Sequence, residues 1–106
     1  MQNQIYNTFV LRKEINYSTG AVVSKIIYNN SNDNNITLFA FDANQKLSEH
    51  KAPFDAFVQI LEGNAQIIIN KQTFNLSEGQ AIIMPANISH AINANEKFKM
   101  LLIMIK

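Results

Sequence analysis

Short apolar runs alternate with polar or glycine-containing segments along most of the chain. The runs are rich in Ile, Val, Phe and Thr, residues that suit a pleated, half-buried surface. They recur every ~8–12 residues, which is the spacing expected of an all-β sandwich or barrel. We predict strands over residues 21–28, 36–41, 57–61, 65–69, 74–76, 81–84, 88–92 and 98–105.

The segments between these runs carry turn signals. Residues 29–35 contain no apolar side chain and are predicted to form a solvated loop. Asn70-Lys71 makes a hairpin turn plausible, and Ser77-Glu78-Gly79 is predicted to turn the chain between two short strands. Residues 8–15 fit either a strand or a short helix, because their periodicity does not decide between the two.

Composition narrows the class of protein. The 106 residues fit one domain, and 47% of them are hydrophobic, enough to bury a core. The net charge of +1 and a single arginine, Arg12, argue against a nucleic-acid partner, which needs clustered basic side chains. The longest apolar run, residues 100–105, is far shorter than the ~20 residues that span a bilayer, and the N-terminus lacks a signal-peptide pattern. We therefore expect a cytoplasmic protein without membrane contact.

Two spaced motifs carry the candidate chemistry. In the second, Gly79 is followed after five residues by Pro85, then by Asn87 and His90. Glycine permits a turn with positive φ, proline marks a strand end, and asparagine tolerates a left-handed turn. This spacing resembles the second motif of the cupin superfamily.

The first cupin motif, two His, a Glu and a Gly, is only half present. Counting back from Gly63 places its His positions at His50 and Ala52, and its Glu position at Ala56. The resemblance implies an all-β double-stranded β-helix, or jelly-roll barrel, of the uncharacterised conserved-barrel type. We predict one domain over residues 1–106, with an N-terminal arm over about 1–20 and the barrel over about 21–106.

The resemblance also implies a divalent transition metal, which typical members hold with three His and one carboxylate. This chain has two His, so His50 and His90 are the candidate metal ligands and the candidate ligand-binding residues. The resemblance implies that Ala56 points into the barrel. Alternation along the strand then places Val58 and Ile60 inside as well, and Asp55, Phe57 and Gln59 outside. A third protein ligand is therefore hard to find without a β-bulge or a change of register.

Three interpretations of the histidines stay open at this point. They are satisfied barrel residues, a two-His metal site completed by water or a ligand, or a metal-free polar cluster that binds a small molecule or acts as acid or base. If they converge, their ring nitrogens should lie within about 7 Å of one another.

Three hypotheses for function follow. The leading one is a barrel that binds a small molecule around His50 and His90. The first alternative is a metal-dependent enzyme of the dioxygenase or isomerase type. The second alternative is a protein–protein interaction module with a filled barrel.

The last predicted strand is apolar on both faces, so both faces must be covered. Phe98, Met100, Leu102 and Met104 lie on one face, and Leu101, Ile103 and Ile105 on the other. We expect one face to line the barrel and the other to meet a partner subunit, and small members of the family commonly dimerise. A homodimer is therefore predicted.

Overall fold

The computed structural model describes residues 6–106 as two antiparallel β-sheets packed face to face. The larger sheet has the strand order β1-β2-β9-β4-β7 and the smaller has the order β3-β8-β5-β6. The strands are β1 (Val22–Asn29), β2 (Asn35–Phe41), β3 (Lys46–His50), β4 (Asp55–Glu62), β5 (Asn64–Ile69), β6 (Gln72–Ser77), β7 (Ala81–Met84), β8 (His90–Asn93) and β9 (Phe98–Ile105). This arrangement confirms the predicted all-β jelly-roll barrel.

Each strand of the core presents alternate residues to the space between the sheets. In β4, the side chains of Ala56, Val58 and Ile60 are buried as predicted, at 4%, 0% and 1% exposure. Phe41 of β2 stacks on Phe98 of β9 with ring centroids 4.5 Å apart. Apolar residues of both sheets thus fill one end of the sandwich, which leaves space between the sheets at the other end.

Most predicted strands lie where the apolar runs placed them, with three corrections. Lys46–His50 is a strand that the pattern did not predict. The predicted run over 88–92 starts as a strand only at His90, because a turn occupies the residues before it. The loop predicted over 29–35 is shorter, because Asn29 ends β1 and Asn35 begins β2.

The segment before β1 contains no strand among the described residues. It forms one 3-10 helical turn, Leu11–Lys13, so the strand alternative for residues 8–15 is wrong and the short-helix alternative holds for these 3 residues. Residues 6–10 are exposed, and residues 1–5 of the predicted arm lie outside the described residues. The arm is therefore split into an exposed part and a part that contacts the barrel.

The outer face of β9 is covered by the chain's own N-terminal segment. Ile15 is 4% exposed and joins Leu38, Ala40 and Leu101 in a second apolar cluster on the outside of the larger sheet. The cover that we assigned to a partner subunit is thus supplied in part from within the chain. Ile105, at the end of the strand, stays 52% exposed.

Polar contacts fasten this segment to the barrel. The Tyr17 hydroxyl donates to the Glu62 carboxylate at 2.6 Å, and the Lys99 ammonium donates to the carbonyl oxygen of Arg12 at 2.5 Å. Lys99 also lies 3.9 Å from Glu62 and over the Tyr17 ring. Burial, and next the hydrogen bond to the Glu62 carboxylate, raise the pKa of Tyr17, so the hydroxyl stays protonated and remains a donor.

Candidate functional site

A β-bulge in β3 turns His50 into the barrel. Leu47 is paired with Ile92 and His50 with His90, so two residues of β3 lie opposite the single residue between their partners on β8. Side chains three positions apart on a regular strand would point to opposite faces, whereas the extra residue returns His50 to the face of Leu47. Both side chains line the same cavity between the sheets.

A tight turn places His90 at the start of the next strand. Asn87 has a φ of 64°, and its N–H donates to the carbonyl oxygen of Ala52 at 2.7 Å. The Asp55 carboxylate accepts a hydrogen bond of 2.8 Å from the N–H of Ala86 in the same turn. These bonds tie the turn before His90 to the loop after His50, so the two motifs reach the site as one connected unit.

The two imidazole rings contact each other directly. Their Nε2 atoms are 3.1 Å apart, and the ring centroids are 4.3 Å apart at an interplanar angle of 69°. This confirms the prediction that the ring nitrogens converge within about 7 Å. His90 is buried at 6% exposure, whereas His50 is exposed.

Backbone carbonyls fix the outer nitrogen of each ring. The Nδ1 atom of His50 lies 2.8 Å from the carbonyl oxygen of Ser48, and that of His90 lies 3.3 Å from the carbonyl oxygen of Ile88. A carbonyl oxygen only accepts, so each Nδ1 carries a hydrogen and donates it. The pKa of His90 is lowered because burial disfavours its charged form, and next because His50 is close; the carbonyl of Ile88 opposes this shift.

The histidines form part of the wall of a cavity of about 340 Å³. Most of its lining is apolar, with Phe39, Phe54, Met84, Leu102 and Met104 among the larger side chains. The volume lies within the range of known small-molecule sites, which begins at ~300 Å³. The barrel is therefore not filled by its own side chains, which weighs against the interaction module.

Sequence reasoning missed a second polar group in this cavity. Asn35 and Thr37 of β2 and Ser24 of β1 also line it. The Thr37 hydroxyl donates to the side-chain oxygen of Asn35 at 2.9 Å, and the Asn35 amide reaches the sulfur of Met104 at 3.5 Å. Alternation with Phe39 and Phe41 could have placed Asn35 and Thr37 on the inner face, had the strand been started at residue 35.

The donor set around the histidines does not fit a tightly held metal ion. Sites for first-row metals are normally built from three or more protein ligands. No cluster of three His, Cys, Asp or Glu side chains occurs within residues 6–106. Ala52 and Ala56, where the resemblance expects a second His and a Glu, both line the cavity with methyl groups. The divalent metal stays a prediction, and residues 6–106 offer no third His, Cys, Asp or Glu ligand beside the two histidines.

Fold and site together define a small jelly-roll barrel with a histidine pair in a largely apolar cavity. Residues 37–106 match the cupin domain family. A conserved protein of unknown function from Streptococcus pyogenes is 36% identical, with a TM-score of 0.89 over 98% of this chain and 90% of that one. The chain belongs to the cupin family.

Two further solved structures agree with this assignment. A cupin 2 conserved barrel domain protein from Leptotrichia buccalis is 35% identical, with a TM-score of 0.87 over 92% of this chain; the match spans 47% of that longer protein. A cupin superfamily protein from Desulfitobacterium hafniense is 28% identical, with a TM-score of 0.88 over 96% of this chain and 93% of that one. No curated protein matches. No helix in the described part of the chain is long and apolar enough to cross a membrane.

Proposed function

We propose that the protein binds a small organic molecule in the barrel cavity, with His50 and His90 holding its polar group. The single observation that carries this proposal is the contact of the two Nε2 atoms, 3.1 Å apart, at the wall of an apolar cavity of about 340 Å³. Sites for small molecules combine apolar walls with a few convergent polar groups, and this cavity has that composition.

The pair is held ready for a ligand. Each ring is oriented by its Nδ1 donor bond to the backbone, so neither imidazole has to be ordered when a ligand arrives. Such preorganisation lowers the entropic cost of binding. The second polar group, Asn35 with Thr37, offers a further hydrogen-bonding point for the same molecule.

The test is to identify what the native protein carries. Protein purified without a metal-affinity tag is measured by native mass spectrometry and by elemental analysis. It is compared with a His50→Ala, His90→Ala double variant and with Glu49→Ala, a control at the exposed neighbour of His50. We expect a small organic molecule in the wild type and in the control, and its loss from the double variant.

Other results decide against the proposal. Near-stoichiometric metal that disappears in the double variant would favour the metal-dependent enzyme instead. If nothing copurifies, a fragment screen by two-dimensional NMR follows. Fragments that never shift the resonances of cavity-lining residues would overturn the small-molecule function.

We also propose that two copies of the chain form a homodimer. Ile26 and Tyr28 of β1, an edge strand of the larger sheet, are 58% and 56% exposed, which supports burial against another surface. Sedimentation equilibrium should give twice the mass of 12.0 kDa. A monomer mass at micromolar concentration would refute this assembly.

A further inference from the structure

We propose that the ligand carries an uncharged group that both donates and accepts a hydrogen bond, such as a carboxamide or a hydroxyl, and that Asn35 and Thr37 bind this group. This inference rests on the proposed small-molecule function. It adds a pair of specificity-determining residues and the chemical class that they select. The inference comes from the hydrogen bonds that these two side chains leave unmade inside the cavity.

Asn35 and Thr37 line the cavity from the wall that lies across from the histidines. They belong to β2 of the larger sheet, whereas the two histidines belong to β3 and β8 of the smaller sheet. Packed sheets lie ~10 Å apart, so a ligand group at one wall is separate from a group at the other. Within the larger sheet, Asn35 is in register with Met104, and Met104 with Ala56. Two strand spacings, roughly 10 Å, therefore separate Asn35 from the position where the family resemblance expects a carboxylate.

The hydrogen count of Asn35 and Thr37 leaves one donor and one acceptor open. The Thr37 hydroxyl donates its only hydrogen to the Asn35 side-chain oxygen at 2.9 Å, and no donor from residues 6–106 reaches the hydroxyl oxygen. The Asn35 amide has two hydrogens, and its one contact within the same residues is the Met104 sulfur at 3.5 Å, a weak acceptor. Turning the amide over exchanges the roles of the two side chains and again leaves a donor and an acceptor open.

Burial makes these open positions costly. Thr37 is only 7% exposed, and its neighbours on the cavity wall include the apolar side chains of Phe39, Leu102 and Met104. A buried donor or acceptor without a partner destabilises the site. A ligand group that meets both positions therefore gains affinity that an apolar group of the same shape does not.

Hydrogen-bonding roles and charge together select the class of ligand group. A carboxamide or a hydroxyl provides one donor and one acceptor, so it satisfies Asn35 and Thr37 at once. A carboxylate only accepts and an amidinium only donates, so each leaves one of the two positions unpaired. None of the side chains that line the cavity from the larger sheet is ionisable, so this wall offers no counter-charge to an ion. The pair therefore favours an uncharged group over either ion.

Four probes of one shape test the proposal on the intact protein: benzamide, acetophenone, benzoate and benzamidine. Benzamide donates and accepts, acetophenone and benzoate only accept, and benzamidine only donates. Titrations followed by two-dimensional NMR of the cavity-lining residues measure the four dissociation constants. We expect benzamide to bind at least about tenfold more tightly than each of the others, a difference of ~1.4 kcal/mol. Because neither Asn35 nor Thr37 titrates, the preference for benzamide over acetophenone should be the same at pH ~6 and pH ~8.

A double variant, Asn35→Leu, Thr37→Val, tests whether these two residues carry the preference. It replaces both hydrogen-bonding partners by apolar side chains of similar shape, a change that can leave stability nearly unaltered. The double variant should bind benzamide no more tightly than acetophenone. The control Ser24→Ala removes a different hydroxyl from the cavity lining and should keep the preference. If the double variant does not fold, the comparison of the four probes on the wild type decides.

Three results would overturn this inference and leave the small-molecule function standing, because in each of them a probe binds in the cavity. The first is equal affinity of benzamide and acetophenone for the wild type. The second is tighter binding of benzoate or benzamidine than of benzamide. The third is a preference for benzamide that persists in the double variant, which would place the amide elsewhere in the cavity. If none of the four probes shifts the cavity resonances, this inference fails, and the copurification test decides the broader function.

Discussion

Gly63 is the position where a single methyl group should damage the barrel most clearly. It links β4 to β5 and has a φ of +78°. A Cβ added there would lie 2.5 Å from the carbonyl oxygen of Lys97 and 3.0 Å from the Cβ of Phe98. Phe98 is fully buried and stacked on Phe41, so the backbone at the start of β9 has little freedom to move away.

The expected cost of Gly63→Ala has two parts. A left-handed conformation costs an L-residue ~1–2 kcal/mol. The overlap with the backbone adds ~1–3 kcal/mol, the usual range for overpacking a well-packed core. Gly20 isolates the first part, because its φ of +70° is similar but nothing lies within 4 Å of its added Cβ. Gly20→Ala should therefore lose only ~1–2 kcal/mol.

Urea unfolding followed by circular dichroism measures both variants against the wild type. The transition midpoint should fall further for Gly63→Ala than for Gly20→Ala, with an unchanged slope if the native and unfolded states keep their compactness. Equal losses in the two variants would show that the approach to Lys97 and Phe98 costs nothing. The account of Gly63 as a close-packed position would then be wrong.

Three further predictions concern the N-terminal segment and the site. Tyr17→Phe should lower the free energy of unfolding by ~1.5–3 kcal/mol, because it removes a hydrogen bond to the Glu62 carboxylate, whereas the exposed control Tyr28→Phe should not. Urea unfolding compares the two variants, and equal losses would show that the Tyr17–Glu62 hydrogen bond does not stabilise the fold. Because the pKa of His90 is lowered in the folded protein, the unfolded chain takes up this proton at a higher pH, so the stability should fall as the pH drops below the ordinary value of 6.5. Urea midpoints measured against pH should lose the part of this fall that is due to His90 in the variant His90→Asn, and an identical pH profile for the variant would contradict the prediction. An Ala52→His, Ala56→Glu variant should gain zinc binding, seen as a zinc-dependent rise in melting temperature that the control Ala52→Asn, Ala56→Gln variant lacks. No such rise would show that residues 52 and 56 do not converge with the two histidines on one metal position.

Local chemistry made much of the fold predictable. The strands over 81–84 and 98–105 have the predicted bounds, and the first of them lies between Gly79 and Pro85, residues that interrupt strands for steric reasons. Asn70 and Lys71 have φ values of 49° and 67°, the left-handed pair that a two-residue hairpin turn requires. These features depend on residues next to each other in the chain.

Features that depend on distant contacts were not predictable in the same way. The bulge in β3 is defined by its register with β8, and no residue type within β3 predicts it. The cover of β9 by Ile15 depends on how the N-terminal segment folds back over the sheet. The homodimer and the cytoplasmic location concern surroundings of the chain, and they stay predictions.

The two alanines explain why losing metal ligands need not mean losing a site. Ala52 and Ala56 line the cavity beside the histidines, and their methyl groups occupy less space than the imidazole and carboxylate that the family resemblance expects there. The exchange widens the cavity and removes the negative charge that would balance a divalent ion. What remains is a pair of oriented imidazoles that face apolar walls. Small-molecule sites combine apolar walls with a few convergent polar groups, so the substitutions that weaken a metal site still leave the composition on which the proposed small-molecule function rests.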